Sequence, residues 1–599
     1  MKTDKGVPCS PLIIDSDVLT PRLRLLWLGA IVVLFVLAAY PRLVRLPDRG
    51  IHGSDVFWYW ACASLWSQGC AHFADTGVEF FRPVAFLLHS CAHTLLGHTD
   101  WAIKALHANM DLLSTGLILG ATWALSGSRW LGLAVAAGYA VNSRVIHAAR
   151  IELVHAPSTT FLLLAYVPLL LLLRKKTTPR SRTEMCAAVA AGLCLSLGGS
   201  LHEDLYLLAP GVALGIALPC ICGAGKRDVR LAARRVLCFS VGVLVIPIAF
   251  ALWLGPGRLI AMLTSVQHVS DLYSGGPSFQ SGAVSDWLAW RLGDLTGSVS
   301  LLLRDASWIL ATVPVAGALV FWRRSGNSRW ICLAVLLGAL GYVILYSIIL
   351  PTRPLTKDQA RVIFPVVFCC LPAAWAFAYH AAKGVSHWGR VAVVVLAMAG
   401  TALEARGSAP YVEWLENPDN VTQLRWLHDT LDKHLDDQNR LLIAPTIAQS
   451  CRLGMENAVY LGDRMVYLRE AGAVADSFDS VLAAEHIGYI FVTKTNDRRL
   501  LTAKSMVKYR LTSDAIEVRL LPVVLGRPFG MNRETYSADK ETALILDVIR
   551  KREAVVFASS RHGTVYSLPT TEYDGDRHRP PVPGETHGDD AGSDAEELE

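Results

Sequence analysis

The side chains best suited to chemistry are of three kinds. Carboxylates stand at Asp55 in "GSDVFWYWA", at Glu79, at Glu152 in "HAARIELVHAP", and at Glu203 and Asp204 in "LHEDL". Cations stand at Arg82, Arg150, Lys357 and Arg361, and imidazoles at His155 and His202. A carboxylate at a membrane surface takes the proton of a hydroxyl, and an arginine forks onto two oxygens of a departing phosphate. Together these residue types suit transfer of a group from a phosphate carrier to a hydroxyl. The histidines at 52, 147, 155 and 202 follow no ligand spacing for zinc, so no cofactor is assigned and a divalent metal is left open.

What must position these groups is a membrane domain. The chain has 599 residues, of which 52% are hydrophobic and 18% charged, and a mean hydropathy of +0.36. A soluble globule of this length rarely has such values. Continuous rather than alternating apolar runs exclude a β-barrel. A helix needs roughly 20 apolar residues to cross the hydrocarbon, and the runs predict about eleven spans, near 23–46, 101–125, 131–146, 157–173, 185–201, 205–222, 236–254, 308–322, 330–350, 362–380 and 391–403. The 83–97 stretch, opened by Pro83 and carrying His89, His93 and His98, reads as a re-entrant or interfacial helix.

Lysine and arginine then sort the connections. With the N-terminus inside, Arg129, the Arg174–Lys176 run, Lys226–Arg235, Arg323–Arg329 and Lys383–Arg390 all fall on the cytoplasmic side, in agreement with the positive-inside rule. The modest net charge of +5 therefore describes topology and not a nucleic-acid surface. The opposite side collects the outer loops 47–100 and 255–307, the turns at 147–157 and 201–205, the loop 351–361, and everything after 405. Every candidate residue lies there. Phe57 to Trp60 beside Asp55 suit the headgroup layer.

The order of a first span, an acidic outer loop, "EFFRPVAFLLHSCAHTLLGHTDWAIKALHANMDLL" (79–113), "VIHAARIELVHAPSTTFLLLAY" (145–166) and "QARVIFPVVFCCLPAAWAF" (359–377) resembles the C-type integral-membrane glycosyltransferases (GT-C). It is most similar to the protein O-mannosyltransferase and aminoarabinose-transferase branch, over roughly residues 23–405. The resemblance implies a hexosyl- or pentosyltransferase that moves a sugar from a polyprenyl-phosphate donor to an acceptor hydroxyl on the extracytoplasmic face, with inversion. It implies Asp55 as general base, or metal ligand in members that use a divalent ion, and a catalytic setting shared with Glu152 and His155. It implies donor or acceptor contacts at Glu79, Arg82, Arg361 and the turn His202, Glu203, Asp204; Arg150 and Lys357 are expected to join them because their loops lie at the interfacial depth of a carrier phosphate. His155 stands where the family often has aspartate, and the His202–Asp204 turn where a basic residue is commoner. The resemblance further implies a multi-pass cell membrane protein, bacterial in style, whose acceptor is a lipid, a glycan or a protein, with no nucleic-acid partner.

Each residue also has a plain structural use. Asp55 suits a helix cap after Ser54, "HED" an ordinary polar turn, and Arg82 a flanking cation snorkelling to headgroups. A lipid or polysaccharide transporter and a non-catalytic envelope scaffold remain the other readings. No internal repeat favours the transporter.

After Arg406 the composition changes. Helical spacing at Val421, Leu424, Leu427, Leu431 and Leu435, then strand-like runs at 440–445, 487–494, 516–523 and 554–560, predict a small extracytoplasmic α/β domain over 406–569. It has no glycine-rich phosphate fingerprint. The acidic tail 570–599, poor in apolar residues, reads as disordered.

Overall fold

The structure, a computed structural model, describes residues 21–49, 63, 82–97, 99, 101–150, 154–174, 182–222, 228–255, 329–349, 360–383, 386–418, 421, 423–436, 438–443, 465–467, 482, 486–493, 546–560 and 562–569. Asp55, Glu79, Glu152 and Lys357 lie outside the described residues, as do the 255–307 loop beyond Gly255, the 308–322 span, the 516–523 strand and the tail. The chain divides into two compact units, one built on residues up to Arg425 and one on the strands that follow Trp426.

The first unit is helical throughout: α1 (Pro21–Leu43), a 3-10 turn (Pro47–Arg49), α2 (Pro83–Leu96), α3 (Ala102–Ser126), α4 (Arg129–Val141), α5 (Ser143–Arg150), α6 (His155–Leu164), α7 (Tyr166–Arg174), α8 (Arg182–Gly199), a second 3-10 turn (Glu203–Leu208), α9 (Ala209–Cys222), α10 (Val229–Leu254), α11 (Arg329–Ile349), α12 (Ala360–Lys383) and α13 (His387–Glu416). The protein is an α-helical polytopic membrane protein. Among the described residues six helices are long and apolar enough to cross a bilayer: Arg24–Leu43, His155–Leu172, Leu205–Cys222, Val229–Trp253, Pro365–Ala382 and Trp388–Glu416. Where residues are described the predicted spans fall on helices, but 131–146 is broken at Asn142 between α4 and α5, 205–222 begins in the second 3-10 turn, and α13 runs on to Glu416, well past 403. At 14 residues, α2 rises only about 20 Å, less than the hydrocarbon thickness.

Leucine and valine on the outer faces of α1 and α10, such as Leu25, Val32, Leu244 and Leu252, are exposed in the isolated chain, the surface a lipid phase accepts. Inside, Leu34, Ile118, Tyr139, Phe368 and Trp375 pack in one core. Lipid tails remove most of the hydrophobic drive between helices, so close backbone approach matters more. The α8–α10 crossing shows it. A Cβ built on Gly192 would lie 2.1 Å from the Phe239 carbonyl oxygen, and one on Gly242 would lie 2.1 Å from that of Val189. Gly192→Ala is therefore expected to cost about 1–3 kcal/mol, read as an earlier thermal midpoint of the detergent-solubilised protein. An unchanged midpoint would refute this packing.

Contacts sort the helix ends into two groups. Trp27 at the start of α1 meets Trp123 at the end of α3 and Trp130 at the start of α4, each with ring centroids 6.0 Å apart. His380, late in α12, bonds the Leu125 carbonyl at 2.7 Å. At the other end Tyr40 donates to Glu416 at 2.7 Å, and His147 meets the Tyr411 hydroxyl at 3.0 Å. Thus α1, α4 and α13 run one way and α3 and α12 the other.

In the second unit, α14 (Gln423–Leu431) precedes a five-stranded sheet of order β2-β1-β3-β5-β4, made from β1 (Arg440–Ile443), β2 (Met465–Tyr467), β3 (Ile487–Thr493), β4 (Val555–Ser559) and β5 (Gly563–Ser567). The β2-β1-β3 part is parallel, with Ile443 opposite Phe491, and β5 pairs antiparallel to both β3 and β4. Parallel strands covered on both faces read as unbroken apolar runs, and in β3 Ile490, Phe491 and Val492 are fully buried. Sequence patterning found β1, β3 and β4. It missed β2, three residues long, and β5, which begins on Gly563.

Candidate functional site

Helix α3 has 25 residues, yet its buried face is polar for its first half. Lys104, His107, Asp111, Ser114 and Thr115 recur at helical spacing, and all are buried. Ionisable groups at membrane depth mark functional or keying positions, because they need partners there. Asp111 has two. Arg42 Nε donates to Asp111 Oδ2 at 2.5 Å, and the Tyr139 hydroxyl donates to Oδ1. Arg42 Nη1 also donates to the carbonyls of Ala38 at 2.7 Å and Ala140 at 2.8 Å. Ser114 shares a 2.8 Å hydrogen bond with Thr160 of α6, whose hydroxyl also bonds the Met110 carbonyl at 2.9 Å. The exposures are 0% for Arg42, 1% for Asp111 and 5% for Arg150, so the pairing is dry.

Arg150, the last residue of α5, does not end in solvent. Its Nη1 donates to the carbonyls of Pro41 at 3.0 Å, Arg42 at 3.1 Å and Val44 at 2.9 Å, at the C-terminal end of α1. Nearby, His89 of α2 and His107 of α3 meet through their Nε2 atoms at 2.9 Å, and His93 and Lys104 on the same two helices are buried as well. His155 opens α6 and His202 precedes the Glu203–Leu208 turn; their rings lie 5.9 Å apart at an interplanar angle of 33°. Two residues expected for the site are thus brought together across α6 and the α8–α9 connection.

For the other expected residues the description is partial. Arg82 stands at the N-cap of α2, with its carbonyl accepting from the amides of Ala85 and Phe86 at 3.0 and 3.3 Å. Glu203 and Asp204 are the first residues of the second 3-10 turn and Arg361 the second residue of α12, described at backbone level. Among the described residues no group of three histidine, cysteine, aspartate or glutamate side chains could hold a metal, and no step is derived through one.

Below this end lies an apolar cavity among α6–α9, α11 and α12. Leu162, Tyr166, Leu195, Val335, Val366 and Cys370 are among its lining. Tyr166, at the α6–α7 junction, donates its hydroxyl to the Cys369 carbonyl at 2.6 Å, leaving only apolar surface toward the cavity. From Arg361 to Cys370, α12 descends about 13 Å.

Sequence reading missed Arg42, Lys104, His107, Asp111 and Tyr139. The available signal was the spacing within "KALHANMDLLST", which places lysine, histidine, aspartate and serine on one helical face.

No protein-family profile and no curated protein sequence matches the chain. Solved structures similar to it include ArnT from Cupriavidus metallidurans bound to undecaprenyl phosphate, 13% identical, TM-score 0.48, covering 91% of this chain and 98% of that one. The archaeal oligosaccharyltransferase AglB from Archaeoglobus fulgidus, in complex with an inhibitory peptide and a dolichol-phosphate, is 12% identical with a TM-score of 0.46, over 79% of this chain and 70% of that one. The S. cerevisiae protein O-mannosyltransferase Pmt1-Pmt2 complex bound to the sugar donor is 19% identical with a TM-score of 0.32, over 39% and 33%.

Proposed function

We propose that the chain is a glycosyltransferase that moves one sugar from a polyprenyl-phosphate donor to an acceptor hydroxyl on the extracytoplasmic face, with inversion. The observation that carries this reading is the meeting of His155 and His202 at the end of the bundle where Arg150 reaches the last turn of α1 and where α12 opens on Ala360–Arg361, opposite His380.

In this reaction the acceptor oxygen attacks the anomeric carbon as Asp55 takes its proton, and the bond from that carbon to the phosphate oxygen breaks. The electron pair leaves on the polyprenyl phosphate, whose negative charge Arg82, Lys357 and Arg361 hold. Glu152, His155 and the His202–Asp204 turn, with Glu79, contact the sugar and the acceptor. The membrane unit, 1–405, supplies the chemistry. The α/β domain, 406–569, stands on the extracytoplasmic side as an acceptor-binding appendage, in a bacterial cell membrane.

The apolar cavity suits the first isoprene units of the carrier, since its lining on α12 extends from about 8 Å to about 13 Å below Arg361, where a tail hung from an interfacial phosphate descends. Ala165→Trp, filling it, is expected to raise the donor KM about tenfold with kcat within twofold, equivalent to about 1.4 kcal/mol of binding. An unmoved KM would count against tail binding there.

The reading is tested with the full chain in proteoliposomes supplied with polyprenyl-phosphate donors labelled in the sugar and with lipid, glycan and peptide acceptors. Acceptor-dependent transfer of label with release of polyprenyl phosphate is expected. Donors left intact with every acceptor class would refute it.

A further inference from the structure

A helix ends with carbonyls that have no partner of their own, and at a membrane boundary each must be satisfied. For α1 the partner comes from far away in the chain. Arg150, at the end of α5, directs one guanidinium nitrogen at Pro41, Arg42 and Val44 together. A cation is also the favourable charge at that end of the helix dipole. The side chain of Arg42 points the other way, into the bundle, onto Asp111 and the Ala140 carbonyl. The backbone at residue 42 is thus held from one side by α5 and its side chain from the other by α3 and α4.

The chain leaves this anchor abruptly. Arg45 adopts a positive φ of 49°, Leu46 is buried, and Pro47–Arg49 form a 3-10 turn closed by the Arg45–Asp48 pair at 3.2 Å. Asp55 follows closely in the sequence; about six residues reach at most about 20 Å. A cap contributed by glycine or by water would end the helix as well. It would not register that end against three other helices.

We infer that Arg150, with Arg42 and Asp111 behind it, is a positioning residue for the proposed reaction: it fixes the exit of the chain from α1 through the Pro47–Arg49 turn, the backbone from which the sequence continues to Asp55. The inference rests on the proposed reaction for its purpose and on α1 geometry for its content. It gives Arg150, whose Nη1 is taken by backbone, a role other than the substrate contact expected from its place at an outer turn.

The test uses the full chain in lipid, as wild type, Arg150→Gln and Arg150→Lys, with amide hydrogen exchange read by mass spectrometry beside transfer kinetics. Arg150→Gln is expected to speed exchange across 43–49 at least tenfold while peptides within α8 and α10 keep wild-type rates. It should lower kcat at least tenfold with donor KM within twofold. Arg150→Lys, which keeps the charge and loses the fork, should fall between. If the glutamine variant fails to fold, the lysine variant carries the same comparison.

Unchanged exchange over 43–49, or a raised KM with kcat preserved, would overturn the inference, the second result restoring Arg150 to substrate binding. If the wild-type chain transfers no sugar yet the exchange pattern appears as described, the proposed reaction falls and the anchoring of the α1 exit stands.

Discussion

Asp55→Asn is expected to lower kcat for sugar transfer by about 10²–10⁴-fold, the usual contribution of a positioned general base, while the protein inserts and purifies as wild type. The amide keeps the size of the side chain and its capacity to cap a helix, so a capping role would leave transfer within a few fold. The size of the effect therefore separates the base from the cap. The scaffold reading gives a third pattern, in which envelope chemistry is indifferent to the change. Donor KM should move little, because in the proposed reaction this carboxylate acts on the acceptor hydroxyl and not on the carrier phosphate. A fall of less than tenfold in kcat with normal insertion would remove Asp55 from the chemistry.

The second large effect concerns stability. Asp111→Leu leaves the Arg42 guanidinium buried without its carboxylate, and removing one partner of a buried ion pair costs about 3–5 kcal/mol. Much of the folded protein should be lost at the temperature where wild type is intact. The paired replacement Arg42→Met with Asp111→Leu exchanges two dry charges for two apolar side chains, and such swaps are often neutral or stabilising by about 1–4 kcal/mol. The double variant should thus be more stable than Asp111→Leu alone, a coupling read directly from a double-mutant cycle of thermal midpoints in detergent. Tyr139→Phe, which withdraws one donor from the same carboxylate, is expected to cost about 1–3 kcal/mol. Additive single effects would show that the three side chains do not act as one network.

The helical part was legible because apolar runs of membrane length carry little ambiguity, and the basic connections orient them without knowledge of packing. α3 shows where that reasoning stops. Its apolar face was visible as a span at 101–125, whereas its polar face acquires meaning only when α1 and α4 pack against it. Arg42 lies where flanking arginines ordinarily snorkel, so nothing local distinguishes it; its burial is decided by Asp111, far along the chain. Arg150 invited a phosphate because it sits at an outer turn beside Glu152. The acceptors it meets are backbone carbonyls, which no side-chain pattern reveals. His155 and His202 were visible as candidates, and their proximity follows from the antiparallel return of α6 and α8. In the sheet, β3 was evident from a fully buried apolar run. β5 owes its position to antiparallel pairing with β3, beginning with Gly563 opposite Thr493, where any Cβ would meet the Val492 carbonyl oxygen at 2.3 Å.

The central claim is that the reacting groups and the α/β domain share one face of the membrane, opposite the arginine-rich connections. Single cysteines at Ser54, Ser325 and Ser560, in a background with the native cysteines replaced, report it through an impermeant maleimide applied to intact cells. Residues 54 and 560 are expected to label from outside and residue 325 only after the membrane is opened. Labelling that places 54 and 560 on opposite faces would contradict the claim.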